Sequence, residues 1–213
     1  MIKSAELLKS AKLIQNISGP VCSWVGTTKA LVQTGNKVGG GLLTHVHDLA
    51  KAVGTPISEL GGISIEGMGH NLYSLGAKIG GVNRVNSVKE ILARGLLKAD
   101  GSVVLISVRC MSKGREVGGH LVYAYYDTLG RLRFMDRTII SASQKTYASL
   151  EEIVTKYSGR GIDEFIPRAA LPLYNVFVKS AAHEIPRLAM PIPTVVAQYR
   201  DQKPQAPKPA LRH

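Results

Sequence analysis

The sequence predicts an α+β protein in which helices come first along the chain and an antiparallel sheet follows. Three observations support this class. Apolar residues recur at helical spacing between residues 23 and 96, a continuous apolar run occupies 103–108, and a turn motif at 127–130 separates two short apolar segments. Helices followed by a meander of strands are typical of α+β domains.

The helices are predicted from apolar residues three or four positions apart and from the residues that begin or end each stripe. Gly35 and Gly54 end the first two stripes, and Ser87 with Glu90 forms a capping box before the fourth. A further stretch near the end of the domain has the same character. The predicted helices are 23–34, 42–53, 65–79, 88–96 and 147–157.

The strands are predicted in the second half of the chain. Residues 103–108 form a continuous apolar run, as expected for a central strand. Residues 118–126 alternate, and 132–135 form a second short strand. Between them, Asp127 and Gly130 fit a type I turn that pairs Asp127 with Arg131 and so defines the register of a hairpin. A last strand is predicted at 173–178.

The length and composition indicate one folded domain with an appendage. The chain has 213 residues, of which 45% are hydrophobic and 20% charged, enough to bury a core and too apolar for a disordered chain. Six of the ten prolines lie between residues 183 and 213. We therefore expect a folded domain over 1–180 and a Pro-rich, basic tail over 181–213.

The charge pattern argues against several classes of function. The net charge is +12, but the basic residues are scattered and lack an interleaved aromatic platform, so nucleic acid is not an expected partner. No apolar run approaches the ~20 residues that span a bilayer. Residues 1–17 are interrupted by charges, which predicts an amphipathic helix packed on the core rather than a secretory signal. Two cysteines are too few for a disulfide framework or a four-cysteine zinc site, and no cofactor is predicted.

One group of residues points to chemistry. Cys22 precedes a predicted helix, whose N-terminus favours a thiolate. In the predicted hairpin register, His120 and Asp136 are diagonal neighbours on the same face, about 7 Å apart along the backbone. A carboxylate at that spacing can orient an imidazole, which can in turn activate a thiol. Cys110, at the end of an apolar strand, is expected to be a buried and inert thiol.

These segments resemble the papain-like cysteine peptidases. The similarity is carried by Gly118-Gly-His-Leu-Val-Tyr-Ala-Tyr-Tyr-Asp127, by Gly130-Arg-Leu-Arg-Phe-Met-Asp136, and by Gly19-Pro-Val-Cys22-Ser-Trp24 leading into a helix. In style they are closest to bacterial leader-peptidase domains and to papain-fold domains of bacterial toxins. The resemblance covers residues 12–140 and implies a papain-like fold, with a Cys helix packed on an antiparallel sheet that carries the histidine and the aspartate.

The resemblance also implies the roles of particular residues. Cys22, His120 and Asp136 would form a catalytic triad that cleaves a protein or peptide amide through a thioester. An amide side chain about six residues before the cysteine would help to form the oxyanion hole, which makes Asn16 a candidate and Gln15 its neighbour. The Cys22 backbone N–H is the other expected donor.

The expected function is therefore a cysteine protease, as a bacterial toxin or effector domain. The expected partners are a protein or peptide substrate and an immunity or chaperone protein, and the expected location is the cytoplasm or a target cell reached by secretion. Two alternatives remain open at this point. The same triad would serve a glutamine deamidase or an acyltransferase, and a basic binding module without catalysis would leave Cys22 unreactive.

Overall fold

The computed structural model describes residues 22–42, 46–56, 59–136 and 146–177. The predicted N-terminal helix, the oxyanion candidates Gln15 and Asn16, and the Pro-rich tail lie outside these residues. Within them the chain forms helices and antiparallel strands, so the predicted α+β class is confirmed. The elements in chain order are α1 (Cys22–Thr34), β1 (Lys37–Val38), β2 (Gly41–Leu42), α2 (Val46–Ala52), α3 (Ile65–Ser74), β3 (Asn83–Arg84), α4 (Val88–Ala93), β4 (Val103–Ser112), β5 (Arg115–Tyr126), β6 (Leu132–Met135), β7 (Thr146–Tyr147), α5 (Leu150–Val154), a 3₁₀ helix (Thr155–Arg160) and β8 (Glu164–Leu173).

The main sheet has six strands in the order β3-β8-β4-β5-β6-β7, and every pairing between them is antiparallel. β4 lies between β5 and β8, which confirms the prediction that residues 103–108 form a central strand. The strand continues to Ser112, beyond the apolar run. A separate two-stranded sheet, β1 with β2, follows α1.

Helices cover both faces of the main sheet. Alternate residues of β4 and β5 point to opposite faces, as strand geometry requires. Leu105 and Tyr123 pack with α1, α2 and α3 in one apolar core, whereas Ile106 and Val122 pack with α4 and α5 in the other. The central part of the sheet is therefore buried on both sides, whereas the first half of β5 is exposed.

The β5–β6 hairpin has the register that the sequence predicts. Tyr126 pairs with Leu132, and Tyr123 pairs with Met135. In the turn, the Asp127 backbone N–H donates to Arg131 O at 2.9 Å, and Gly130 adopts φ 71°, the left-handed conformation that the turn requires. The Asp127 carboxylate also accepts bonds from turn backbone N–H groups, which fixes the strand ends.

Helix lengths depart from the predictions at several ends. The helix predicted over 65–79 ends at Ser74, because Gly76 turns the chain at φ 83°; Ile79 instead forms a bridge to Leu173 in β8. The helix predicted over 147–157 is shorter, since Tyr147 belongs to β7 and α5 passes into the 3₁₀ helix after Val154. The helix that begins after Ser87 ends at Ala93, and Ser87 caps it as predicted.

The strand predicted at 173–178 is wrong. The observed strand, β8, covers Glu164–Leu173, so Leu173 is its last residue rather than its first. This strand was not predicted because it contains Pro167 and Pro172. Proline has no backbone N–H to donate to a neighbouring strand, which argues against a central position in a sheet. Pro167 is accommodated at an irregularity in the pairing with β4, next to Val108. Pro172 lies near the end of β8, opposite Val104 at the start of β4.

A buried asparagine anchors the C-terminal end of α1. Asn36, 1% exposed, accepts a bond from the Lys78 backbone N–H at 2.6 Å and donates to Tyr174 O at 2.9 Å. Its amide also donates to the Thr34 hydroxyl at 2.8 Å. This one side chain therefore ties the end of the helix to the segments that follow α3 and β8.

Replacing Asn36 with Ala should lower the free energy of unfolding by about 2–4 kcal/mol, because buried backbone groups lose their partners. Urea denaturation followed by circular dichroism measures this change. Asn83→Ala is the matched control, since its amide bond to Gly81 O lies at the surface and should contribute less than about 1 kcal/mol. Equal losses in the two variants would contradict the anchoring role of Asn36.

Candidate active site

Cys22 is the first residue of α1, and its side chain is 6% exposed. The next two residues hold this end of the helix against the loop before α3. Ser23 Oγ donates to Ile63 O at 3.0 Å, and Trp24 Nε1 donates to Gly61 O at 2.9 Å. Trp24 is itself buried. The first turn of α1, and with it the thiol, is therefore fixed in place.

His120 and Asp136 meet as the hairpin register predicts. His120 Nε2 lies 2.6 Å from Asp136 Oδ1, and the carboxylate is completely buried. Because an ionised carboxylate only accepts hydrogen bonds, Nε2 carries the proton in this bond. The other ring nitrogen, Nδ1, is then left for the thiol.

The thiol reaches His120 beside the edge of β5. Cys22 packs in the core on the α1 face of the sheet, whereas residue alternation places His120 on the opposite face with Val122. In the described pairings, β5 and β6 are joined only from Tyr123 onward, so the edge near residues 120 and 121 does not pair with β6. There the Cys22 thiol is near enough to the His120 ring and to the Leu121 backbone for both to lower its pKa.

The three groups shift one another's protonation. Burial raises the pKa of the Cys22 thiol, but the hydrogen bond to His120 and the positive charge of its ring outweigh burial and bring the pKa below its ordinary value. Burial lowers the pKa of His120, whereas its bonds to Asp136 and Cys22 raise it, to about 9. The Asp136 pKa, which burial raises, is held well below its usual range by His120 and Lys156. The arrangement favours a thiolate beside an imidazolium.

Two further side chains that the sequence analysis did not identify surround Asp136. Lys156 Nζ lies 2.8 Å from Asp136 Oδ2. The Tyr157 hydroxyl donates to the same carboxylate at 2.9 Å and lies 3.2 Å from His120 Nε2. Both residues lie on the 3₁₀ helix, within a stretch whose helical pattern gave no sign of a site. Their partners are about 20 positions away or more, so no local spacing could have indicated the contact.

Aromatic rings surround the imidazole. The His120 ring centroid lies 5.4 Å from that of Tyr157 and 5.7 Å from that of Phe165, and both pairs are tilted. Phe165 comes from β8, the strand that the sequence analysis misplaced. These rings pack against the imidazole, and the His120 side chain is 9% exposed.

Cys110 lies in a different environment from Cys22. It is 5% exposed, and burial is the main cause that raises its pKa to about 11. No imidazole stabilises its thiolate, so the expectation of a buried, weakly acidic thiol agrees with the structure. Both cysteines are free.

Neither a metal-ion site nor a membrane-spanning helix is formed by the described part of the chain. Within it, no group of His, Cys, Asp and Glu residues has the geometry to hold a metal ion. Nor does any helix in these ranges combine the length and apolar character needed to cross a membrane.

Two comparisons of the sequence with known proteins find no relative. No protein-family model matches it, and a search of curated proteins finds no significant match to its sequence. The chemistry of the site therefore rests on its own geometry and on the resemblance of its motifs.

The two thiols should differ in reactivity. At about pH 6, where an ordinary thiol is almost wholly protonated, Cys22 should be alkylated by iodoacetamide while Cys110 is not. Tryptic peptide mass spectrometry identifies the labelled residue. His120→Ala should slow labelling of Cys22, because the imidazolium that stabilises the thiolate is lost.

Cys110→Ser serves as the control and should leave the labelling rate of Cys22 unchanged. The interpretation fails if Cys110 labels first. It also fails if Cys22 reacts only above about pH 8, as an ordinary thiol does, and if its labelling rate is the same in His120→Ala.

Proposed function

We propose that this protein is a cysteine-dependent hydrolase that cleaves an amide bond of a protein or peptide, with Cys22 as nucleophile. The single observation that supports it best is the chain of contacts from Cys22 to His120 to Asp136, closed by the 2.6 Å bond between imidazole and carboxylate. A nucleophile, a base that reaches it and a group that orients the base are the usual parts of such a site.

The arrangement also supports a papain-like architecture as part of this proposal. The nucleophile begins a buried helix, and that helix packs on an antiparallel sheet. The histidine lies on one strand of the sheet and the aspartate directly follows the next. This is the order and placement that the motif resemblance implies.

The proposed reaction is acyl transfer through a thioester. The Cys22 thiolate attacks the carbonyl carbon, forming a C–S bond, and His120 gives its proton to the departing amine as the C–N bond breaks. Water then attacks the thioester, passing a proton to His120, and the C–S bond breaks to release the acid and restore the thiolate. Asp136 stays ionised and keeps Nε2 protonated, which directs Nδ1 to the thiol.

The negative charge that develops on the oxygen of the tetrahedral intermediate is stabilised by hydrogen-bond donors that are already in place. Cys22 begins α1, and the backbone N–H groups in the first turn of a helix have no carbonyl partner within it. The Cys22 N–H is one such donor. Asn16 or Gln15 would supply a side-chain amide as the second donor, as the motif resemblance implies.

The biological setting that we propose is implied by the motif resemblance alone. The similar bacterial domains imply a toxin or effector whose substrate is a protein or peptide, with an immunity or chaperone protein as a partner. They also imply action in the cytoplasm of the producing cell or of a target cell.

The proposal is tested with a panel of denatured proteins and fluorogenic peptides, scored by intact-mass spectrometry. Hydrolysis should produce fragments and a transient acyl adduct on the enzyme, and Cys22→Ala should abolish both. Cys110→Ser, the matched thiol substitution, should retain full activity. A one-dalton gain on an uncut substrate would instead indicate side-chain deamidation, and equal activity of Cys22→Ala would overturn the proposal.

Asp136→Asn should retain the fold but reduce turnover by about 10²–10⁴-fold, because the amide favours the wrong tautomer of His120. Steady-state kinetics measures the loss, and circular dichroism checks the fold. Full activity in this variant would remove Asp136 from the mechanism and leave a Cys–His pair.

A further inference from the structure

The Asp136 carboxylate has more partners than the orientation of an imidazole requires. Oδ1 accepts from His120 Nε2 at 2.6 Å and lies 3.1 Å from the Tyr157 hydroxyl. Oδ2 accepts from Lys156 Nζ at 2.8 Å and from the same hydroxyl at 2.9 Å. A carboxylate buried to this degree is stable only when its charge is balanced, so these partners compensate a real desolvation cost.

We infer that Lys156 and Tyr157 are positioning residues for the triad, which hold the Asp136 carboxylate against His120 and offset its charge. The inference deepens the proposed function, on which it rests for its purpose, but its test does not require a substrate. Neither residue contacts the thiol according to the structure, so each would act on the reaction through Asp136 and His120.

The charge balance explains why such residues are needed. In the reactive state the site holds a thiolate, an imidazolium and a carboxylate, which together carry one negative charge. Lys156, whose side chain is 34% exposed, brings the sum of these four groups to zero, so its charge offsets the extra negative charge of the site. Without Lys156, the carboxylate would bind the imidazolium proton more tightly, and His120 would be a weaker acid towards a departing amine.

Tyr157 orients the Asp136 carboxylate as well as stabilising its charge. Its hydroxyl has one proton, shared between the two carboxylate oxygens, and its lone pair faces the Nε2–H group of His120. The hydroxyl therefore contacts both members of the His120–Asp136 pair and limits how far the carboxylate can turn away from Nε2. Burial and the nearby Asp136 charge raise the pKa of Tyr157, so the phenol stays protonated and remains a donor.

Other ionisable groups face the same site from neighbouring elements. Lys29 of α1 interacts electrostatically with Asp136 and Lys156, and Cys110 of β4 with Cys22 and Asp136. Tyr147 of β7 accepts the Lys156 ammonium over its ring at 5.1 Å, and Arg160 of the 3₁₀ helix lies over the Tyr157 ring at 5.8 Å. Lys156 and Tyr157 both hydrogen-bond to the Asp136 carboxylate, and Tyr157 also lies within hydrogen-bond distance of the imidazole.

The test is the pH profile of Cys22 alkylation by iodoacetate, an anion that the imidazolium attracts. In a Cys110→Ser background Cys22 is the sole thiol, because the chain has two cysteines. The rate should rise as the thiolate forms and fall as His120 loses its proton near pH 9, giving an alkaline limb that reports His120 directly.

Lys156→Met and Tyr157→Phe should each move this alkaline limb upward, by about half to one pH unit, because the carboxylate charge becomes less compensated. Asp136→Asn should move it downward. Lys156→Arg keeps the charge and should restore the wild-type limb. Lys89→Met and Tyr73→Phe, on the surface, are the matched controls and should leave the profile unchanged.

The outcomes are separable. A lower rate at all pH values with unmoved limbs in Lys156→Met and Tyr157→Phe would show a merely structural role and overturn the inference. If Tyr157→Phe does not fold by circular dichroism, the Lys156 Met and Arg variants decide. If the wild-type protein shows neither rapid alkylation below about pH 8, where ordinary thiols react slowly, nor an alkaline limb, the proposed function fails and the inference with it.

Discussion

The register of the β5–β6 hairpin is the constraint on which the candidate site depends. Side chains alternate between the faces of a strand, so a slip of one residue would move Asp136 to the face opposite His120. The turn prevents this slip, because the Asp127 side chain accepts the backbone N–H groups of Leu129 and Arg131, each at 2.9 Å. Two ion pairs also stabilise the turn, since Arg131 and Arg133 both donate to the Asp127 carboxylate.

The hairpin alone would produce only an oriented histidine, and the sheet supplies the rest. β4 supports β5 along its length and β8 supports β4, so the strand that carries His120 is held from one side by two buried strands. On the other side, α1 brings Cys22 to the point where β6 has ended. Cys22 from one face of the sheet and His120 with Asp136 from the other therefore come together at the edge of β5.

The parts of the site that the sequence could predict are those with local causes. The hairpin register follows from a four-residue turn, and α1 follows from an apolar stripe that ends at Gly35. The His120–Asp136 contact and the placement of Cys22 at a helix start were therefore predictable. Lys156 and Tyr157 were not, because their roles arise only when the 3₁₀ helix packs beside Asp136. Phe165 was missed for another reason. It lies on β8, whose prolines argue against a strand although tertiary packing buries it as one.

The separation of Cys22 from His120 along the chain has a consequence for the newly made polypeptide. His120 and Asp136 are joined by a short hairpin, which forms early and cheaply, whereas Cys22 meets them only after a loop of nearly a hundred residues has closed. Until then the thiol has the acidity of any exposed cysteine and is mostly protonated at neutral pH. A chain that is still on the ribosome, or that has misfolded, therefore lacks the lowered thiol pKa, which arises only when the tertiary structure is complete.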